Sequence, residues 1–490
     1  MNPILDSYMN TYSLVQHQID SYNRFISYSI QRIVEQFDKI ESETAEFAMK
    51  FVGVRFEKPY IIEADSSRRQ LFPNEARIRD LTYAARMYLL VMPFIKGVEK
   101  NLSTNEVYIG DLPVMLKSDL CHLKNLPENL LIDAGEDPFD PGGYFIIKGT
   151  ERVLIGIEDV APNRIITSKE RDRIRSKVFS SIFGFRAKCV VDRLNDGEFI
   201  IDFPKAPKNI DFILTLKALG LDEKEIIEYA SDHEVFKNDM IYNIEINEYR
   251  DITNKEEAIA KLGQLVAPMQ AKTYQKKRAE FELDNHLLPH LGTDHLSRRK
   301  KAFFILEMAK RTSLVANKLL SPDDKDHYAN KRVKFAGELL EDLFTYAFKY
   351  FMKKTKEQID RSVVRGRKLS IHTIVNPEWI NSKIEYAMGT GSWVTGQTGV
   401  SPTLDRTNYF NTYAGLRRVK SPLSKKHPNV ELRGVHGTQY GKICVSETPA
   451  GLEVGLTKYL AITAKPSIGV DEKFIEEKLR SMFKIQSNEG

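Results

Sequence analysis

The sequence predicts an α+β protein of several domains, and three observations carry that expectation. Apolar residues recur at helical spacing in three long stretches and at strand-like spacing in others. Charge is unevenly spread along the chain. Its 490 residues suggest roughly two to four domains, and 42% hydrophobic with 28% charged residues is ordinary for chains that bury cores.

The elements follow in order. In residues 12–40, Val15, Ile19, Tyr22, Ile26, Ile30, Ile33 and Phe37 fall three and four apart, which predicts one amphipathic helix. FVGVRFEKPYIIE (51–63) turns to alternating and β-branched residues and reads as strand. LFPNEARIRDLTYAARMYLLV (71–91) places a proline at an element start and runs from charged to apolar. Asp140-Pro141-Gly142-Gly143 is a turn signal, and the apolar runs YFII and RVLIGI flank a polar turn at Gly149, which predicts a β-hairpin. Residues 164–177 are basic; 190–260 are mixed α and β, with an acidic stretch at 235–258, and about 170–300 reads as a separate domain. Two long helices are expected, at 296–320 and 335–355. From about 370, Gly, Pro, Thr and Ser rise and long helical periods fade, marking a loop-rich third region.

Several classes are set aside. No run reaches the ~18 apolar residues of a membrane span, and the N-terminus has no basic segment followed by an apolar one, so no secretory signal is expected. Cys121, Cys189 and Cys444 are three and far apart, which fits a reducing compartment rather than a disulfide framework. No GxxxxGK[ST] or GxGxxG loop is present; GTGSWVTGQTG (389–399) is glycine-rich, but no lysine-bearing helix follows it in phosphate-loop register. Trp393 within it is expected to pack. His286, His290 and His295 lie near two aspartates, but Pro289 interrupts a helical zinc spacing. Asp323, Asp324 and Asp326 are read as an acidic loop capping a helix N-terminus in preference to a magnesium site.

The charge is the functional signal. Residues 361–442 hold thirteen Lys/Arg against four Asp/Glu, a balance of +9, which leaves −4 for the rest of a chain totalling +5. Concentrated positive charge fits a polyanion partner, most often nucleic acid, or else a solvated basic surface.

Separated motifs then carry a resemblance. VQHQIDSYNRFI (15–26), FPNEARIRDLTY (72–83), IGDLPVMLKSDLC (109–121), DPGGYFIIKGTERVLIGIED (140–159), LLPHLG (287–292), DKDHYANKRVKFAGELL (324–340), LRRVKSPL (416–423) and HGTQYGKICVSETPAGLEVGL (436–456) occur in one order along most of the chain. In these the chain resembles the N-terminal half of the second-largest subunit of multisubunit DNA-directed RNA polymerase, in its archaeal or eukaryotic-like form. It is similar to the archaeal arrangement in which that subunit is divided into B double-prime and B-prime polypeptides. The resemblance implies a protrusion (1–170 and 301–368), a lobe (171–300), a fork (369–466) and the start of an external region (467–490).

The resemblance also implies a role. The chain is expected to form part of a DNA cleft and active-centre wall in a nucleotidyltransferase, and to be inactive alone. It would hold no cofactor itself; Mg2+ of the assembled enzyme would be bound by another subunit. Expected partners are the B-prime and largest subunits, other polymerase subunits, template DNA and the RNA–DNA hybrid, with no membrane and a cytoplasmic location. In the fork, Arg417, Arg418, Lys420, Lys425, Lys426, Arg433 and Lys442 are candidate phosphate contacts, since such cations neutralise a backbone without reading sequence; internal salt bridging is the alternative. His436 and Gln439 offer hydrogen-bonding groups beside them, and Gly437, Gly441, Gly451 and Gly455 permit tight turns and close approach. Val445 and Ala450 stand where the family pattern carries proline and glutamate. A free-standing nucleic-acid-binding regulator with this architecture is the alternative function.

Overall fold

The computed structural model describes residues 3, 7, 8, 11–41, 47–95, 104–170, 172–182, 184–252, 254–365, 371–394, 396–422, 430, 433–469 and 472–483. The protein is a mixed α+β chain in two compact units, Met1–Glu158 with Val333–Gly490, and Asp159–Arg332.

In the first unit, α1 (Gln16–Arg24) runs through a five-residue π turn (Phe25–Ser29) into α2 (Ile30–Gln36). The expected single helix is therefore widened once. Phe25, rather than Ile26, takes the fully buried place, and the next buried apolar residue is Ile30, five residues on, as a π turn requires. Strands β1 (Lys39–Glu41) and β2 (Phe47–Glu57) follow, then a short ribbon of β3 (Tyr60–Ile62) and β4 (Arg68–Gln70). Helix α3 (Pro73–Ile78) begins on its proline, where the missing N–H costs nothing. Strands β5 (Ala84–Ile95) and β6 (Asn105–Pro113) complete an antiparallel sheet in the order β1-β2-β5-β6. After α4 (Glu128–Asp133) the chain makes β7 (Phe145–Ile147) and β8 (Thr150–Arg152), then β9 (Gly156–Val160).

The expected hairpin forms, but its second strand is Thr150–Arg152, closed by Lys148 and Gly149 at φ 48° and 73°. Two residues in the left-handed region make the tight connection that matches strand twist. The apolar LIGI run belongs elsewhere: Gly156 and Ile157 pair in parallel with a distant strand. Apolar runs alone do not specify which strand they join.

The second unit opens on an antiparallel sheet with neighbours in chain order, β10 (Ile166–Lys169), β11 (Arg173–Ile182), β12 (Phe185–Leu194), β13 (Phe199–Asp202) and β14 (Ile210–Asp211). Helices α5 (Phe212–Leu219), α6 (Glu223–Ala230), α7 (Glu234–Ile246), α8 (Lys255–Val266), α9 (Lys272–Asn285) and α10 (Arg298–Ala316) follow. The acidic stretch at 235–258 is thus mostly helix. A core of its own, including Val178, Val191, Phe199, Phe212, Phe236, Leu262 and Leu306, holds this unit together. Residues 171–300 all lie within it, as do β10 and most of α10 beyond those limits.

The chain returns on β15 (Lys331–Lys334) into α11 (Ala336–Val364), the spine of the first core. Phe344, Phe348 and Phe351 stack along it at 5.7 Å spacings and meet Phe25 and Phe51 from other elements. Each such buried ring contributes about 1.5–3 kcal/mol. A short helix α12 (Ile371–Ile374) precedes α13 (Glu378–Thr390), whose first N–H donates to Asn376 Oδ1 at 2.9 Å and which ends at Gly391 with φ 72°. A thirteen-residue helix lies in the region expected to be loop-rich; its polar residues and glycine masked a period that packing on α11 supports. Trp393 packs as expected, 4% exposed, with Nε1 donating to the Leu339 carbonyl at 3.2 Å. Helix α14 (Tyr409–Leu416), β16 (Arg418–Lys420), β17 (Thr457–Tyr459) and α15 (Glu472–Phe483) finish the chain.

Candidate nucleic-acid interface

The cationic segment is built on a small sheet in the first unit. Arg418, Val419 and Lys420 pair antiparallel with Tyr459, Lys458 and Thr457, while Val419 and Lys420 pair in parallel with Gly156 and Ile157. On the other side of β17, Cys444 N donates to Tyr459 O at 2.8 Å and Ala461 N to Lys442 O at 3.0 Å. The strand Thr457–Tyr459 and its extension are therefore flanked by Arg418–Lys420 on one edge and Lys442–Cys444 on the other.

Beneath this sheet lies an ion pair with no signal in the sequence. Lys458 Nζ stands 3.0 and 3.1 Å from the Glu158 carboxylate, and Ser421 Oγ donates to the same group at 3.3 Å. Lys458 and Glu158 are 7% and 3% exposed. Three strands are fixed at one buried point. Gly156 leaves the room this needs, since a Cβ there would press on Val333, Phe335 and Val419.

The predicted residues divide by exposure and partner. Arg417 is buried: its guanidinium donates to the Leu14 carbonyl at 2.5 Å, to Ala461 O, and to Ile462 O at 3.4 Å. Burial pushes its pKa below the usual arginine range. The neighbouring His17 is pushed down to about 3, chiefly by burial and then by the Arg417 charge. Arg417, expected as a phosphate contact, is held within the fold by an internal tether. Main-chain carbonyls claim its head group.

Arg418 is half-buried, its guanidinium 5.7 Å above the Tyr459 ring, with a buried Nε that has no hydrogen-bond partner. Lys420 Nζ reaches Thr398 O at 3.4 Å. Lys442 is exposed and donates to Thr438 O at 3.2 Å. Arg433 donates to the carbonyls of Leu452 and Val454 at 2.9 and 2.8 Å and so closes the 433–455 loop. Among the described residues, Arg418, Arg433 and Lys442 form no ion pair within 4 Å, and the Glu447 and Asp405 carboxylates feel the Arg418 charge from further off. His436 Nδ1 accepts from Thr438 N at 3.2 Å, and Gln439 is 5% exposed, so both organise the turn. Lys425 and Lys426 lie outside the described residues.

The glycines of this loop are not equivalent. Gly455, at φ 69°, abuts the Arg433 carbonyl where a Cβ would sit; Gly437 has no positive φ and open space around it. Tight approach is needed at the first and not at the second.

The other candidates resolve separately. His286 Nδ1 lies 2.5 Å from the buried Glu282, and His290 Nδ1 lies 2.7 Å from Ser180 Oγ, with its pKa pushed down to about 4 by burial. No cluster of three metal-ligating side chains exists among the described residues. Asp323 does not cap a helix: it accepts from Thr167 N at 2.9 Å at the edge of β10, and Asp324 accepts from Asp326 N at 2.8 Å within its own turn. The cap downstream is the His327 side chain.

A second charged network was also invisible in the sequence. Arg77 binds Glu136 at 2.9 Å and Glu151 at 2.8 Å; Arg406 binds Glu151 and Asp140, each at 2.7 Å; Tyr144 Oη donates to Asp140 at 3.0 Å. This joins 402–406 to the β7–β8 hairpin and to α3.

Comparison with known proteins bears on this arrangement. A family model described as RNA polymerase beta subunit matches residues 13–382, and another, RNA polymerase Rpb2 domain 3, matches 402–465, which takes in the cationic sheet. The chain is 45% identical to DNA-directed RNA polymerase subunit Rpo2N of Methanocaldococcus jannaschii, with 98% of each chain covered. It is 38% identical to the Rpo2N subunit of Halobacterium salinarum, over 97% of this chain and 94% of the relative. It is also 40% identical to subunit Rpo2 of Saccharolobus shibatae, over 98% of this chain but 43% of that longer relative.

Proposed function

The chain belongs to the RNA polymerase beta-subunit family, and on that premise we propose that it is the N-terminal part of the second-largest subunit of an archaeal-type DNA-directed RNA polymerase. In this reading residues 171–300 are the lobe, 1–170 and 301–368 the protrusion, and 369–466 the fork. The chain forms part of the DNA cleft and of the active-centre wall. Its partners are the B-prime polypeptide, the largest subunit, and the template with its RNA–DNA hybrid, in the cytoplasm. No helix among the described residues is long and apolar enough to cross a membrane.

The reaction is attack of an RNA 3′-hydroxyl on the α-phosphorus of a nucleoside triphosphate, with pyrophosphate leaving. Divalent metal ions stabilise such an in-line displacement. The described residues offer no three-ligand cluster for one, and the reading assigns its ligands to another subunit. What this chain supplies is charge and shape. Arg418, Lys420, Arg433 and Lys442 neutralise backbone phosphates without reading bases, which suits transcription of any template. Arg417 positions the wall from inside.

The observation that carries the reading is the match of 98% of the chain to a 45% identical polymerase subunit. The test is an elongation assay with purified components on a template–transcript scaffold. The chain alone is expected to give no product, and synthesis is expected only when it joins its partner subunits. Synthesis by the chain alone, or full synthesis when it is left out, contradicts the reading. Sequence-independent DNA binding by a stable monomer that joins no polymerase points instead to a free-standing regulator.

A further inference from the structure

Helix α15 is an amphipathic helix whose apolar side is exposed among the described residues. Phe474, Ile475, Leu479 and Met482 are 52, 45, 46 and 73% exposed. The spacing from Ile475 to Leu479 to Met482 is four and three, so these side chains share one face, and Phe474 extends it. The opposite face is polar and internally paired: Arg480 and Glu476, four apart, meet at 2.9 Å. A solvated helix of twelve residues is marginal by itself and draws its stability from an apolar face pressed on something else. Four large apolar side chains in one stripe are more than scattered surface exposure explains.

The comparisons point to what covers it. Two relatives, 40% and 39% identical, match 98% of this chain while the chain covers 43% of each. More than half of each long relative therefore has no counterpart here. The helix lies just beyond the segment matched to domain 3, which ends at residue 465. We propose that the Phe474–Ile475–Leu479–Met482 stripe is the docking face for the polypeptide that corresponds to the remainder of those long relatives. This deepens the polymerase reading and rests on it. The chemistry fits an obligate contact: the stripe is apolar, as permanent interfaces are, and its flanking charges cancel, so no long-range attraction to nucleic acid is built in.

The experiment co-expresses the full chain, tagged, with the same organism's polypeptide aligning with that remainder, and measures how much co-purifies. Ile475→Glu with Leu479→Glu is expected to lower recovery at least tenfold. The polar-face pair Glu476→Lys with Arg480→Glu is expected to leave recovery within twofold. Both pairs replace exposed residues, and an unchanged unfolding transition of each variant shows that the rest of the chain is intact. Amide exchange supplies an independent reading in the unmutated protein: residues 474–482 are expected to exchange at least tenfold more slowly once the partner is bound. Equal recovery of both variants with the wild type, or exchange that does not slow, overturns the docking inference and leaves the polymerase reading standing. Self-association of the chain that the Ile475/Leu479 variant abolishes, with partner recovery unchanged, overturns it in favour of a second copy. Failure of the wild-type chain to retain any polymerase polypeptide overturns the polymerase reading itself.

Discussion

Two groups of basic residues in the same unit are used in opposite ways. Around Asp140 and the β7–β8 hairpin, Arg77 and Arg406 are each paired directly with carboxylates of Glu136, Glu151 and Asp140. Around β16 and β17, Arg418, Arg433 and Lys442 meet carbonyls or a ring face rather than a carboxylate in direct contact. Arg417 lies in the second group by sequence but is buried, its head group held by main-chain carbonyls. Local net charge, such as the +9 of residues 361–442, counts both kinds alike. Only the partner of each cation shows whether its charge is spent on a carboxylate or on a carbonyl or ring face.

Breaking the buried anchor has the largest expected effect. Lys458→Ala strips Glu158 of its ammonium and is expected to cost about 3–5 kcal/mol, read from urea unfolding of the full chain. Replacing both partners with apolar residues is expected to recover most of that loss, because the desolvation cost of two charges disappears with them. A loss equal to that of the single variant sinks this account of the anchor.

The buried Arg417 also leaves a pH signature, through His17 beside it. The folded-state pKa of His17 is about 3 against an ordinary 6.5, so the unfolded chain takes up the proton first on acidification. Its contribution is fully present above pH 6.5 and is lost as pH falls towards 3, at up to about 1.4 kcal/mol per pH unit. His17→Gln is expected to flatten stability between pH 6 and 4, on the scale of ~1 kcal/mol per unit. An unchanged acid limb means that His17 is not buried as a neutral ring.

Smaller effects separate the two arginines. Arg417→Ala removes hydrogen bonds from a charged donor to three carbonyls and is expected to cost about 1.5–3 kcal/mol. Gly455→Ala is expected to cost about 1–3 kcal/mol, because it places a side chain in a left-handed conformation against the Arg433 carbonyl. Gly437→Ala is expected to stay within ~0.5 kcal/mol. Thermal unfolding of the two glycine variants side by side checks this, and equal losses contradict it.

Much of the fold is legible in the sequence because it rests on local signals. The 3.6-residue period marks α10 and α11, Pro73 marks a helix start, and the turn at Gly149 marks a hairpin. What escapes is long-range. That LIGI joins β16 depends on pairing across more than two hundred residues. The Glu158–Lys458 contact joins two residues whose neighbours say nothing of each other. The π turn at Phe25 is a one-residue change of phase that a smooth period conceals. In the candidate site the positive cluster was legible, whereas the division between Arg417 and Arg418 was not, because Arg417 ends helix α14 and Arg418 begins β16, and the sequence does not say which of the two is covered.

The most direct test of that division is the salt dependence of the assembled polymerase on a template–transcript scaffold. The logarithm of its affinity is followed against the logarithm of salt concentration for wild type, Arg418→Ala and Arg417→Ala. Loss of one phosphate contact lowers the slope by about 1, and that is the result expected for Arg418→Ala, with stability within ~0.5 kcal/mol of wild type. Arg417→Ala is expected to leave the slope unchanged while lowering stability. A slope that falls for Arg417→Ala and holds for Arg418→Ala contradicts the account.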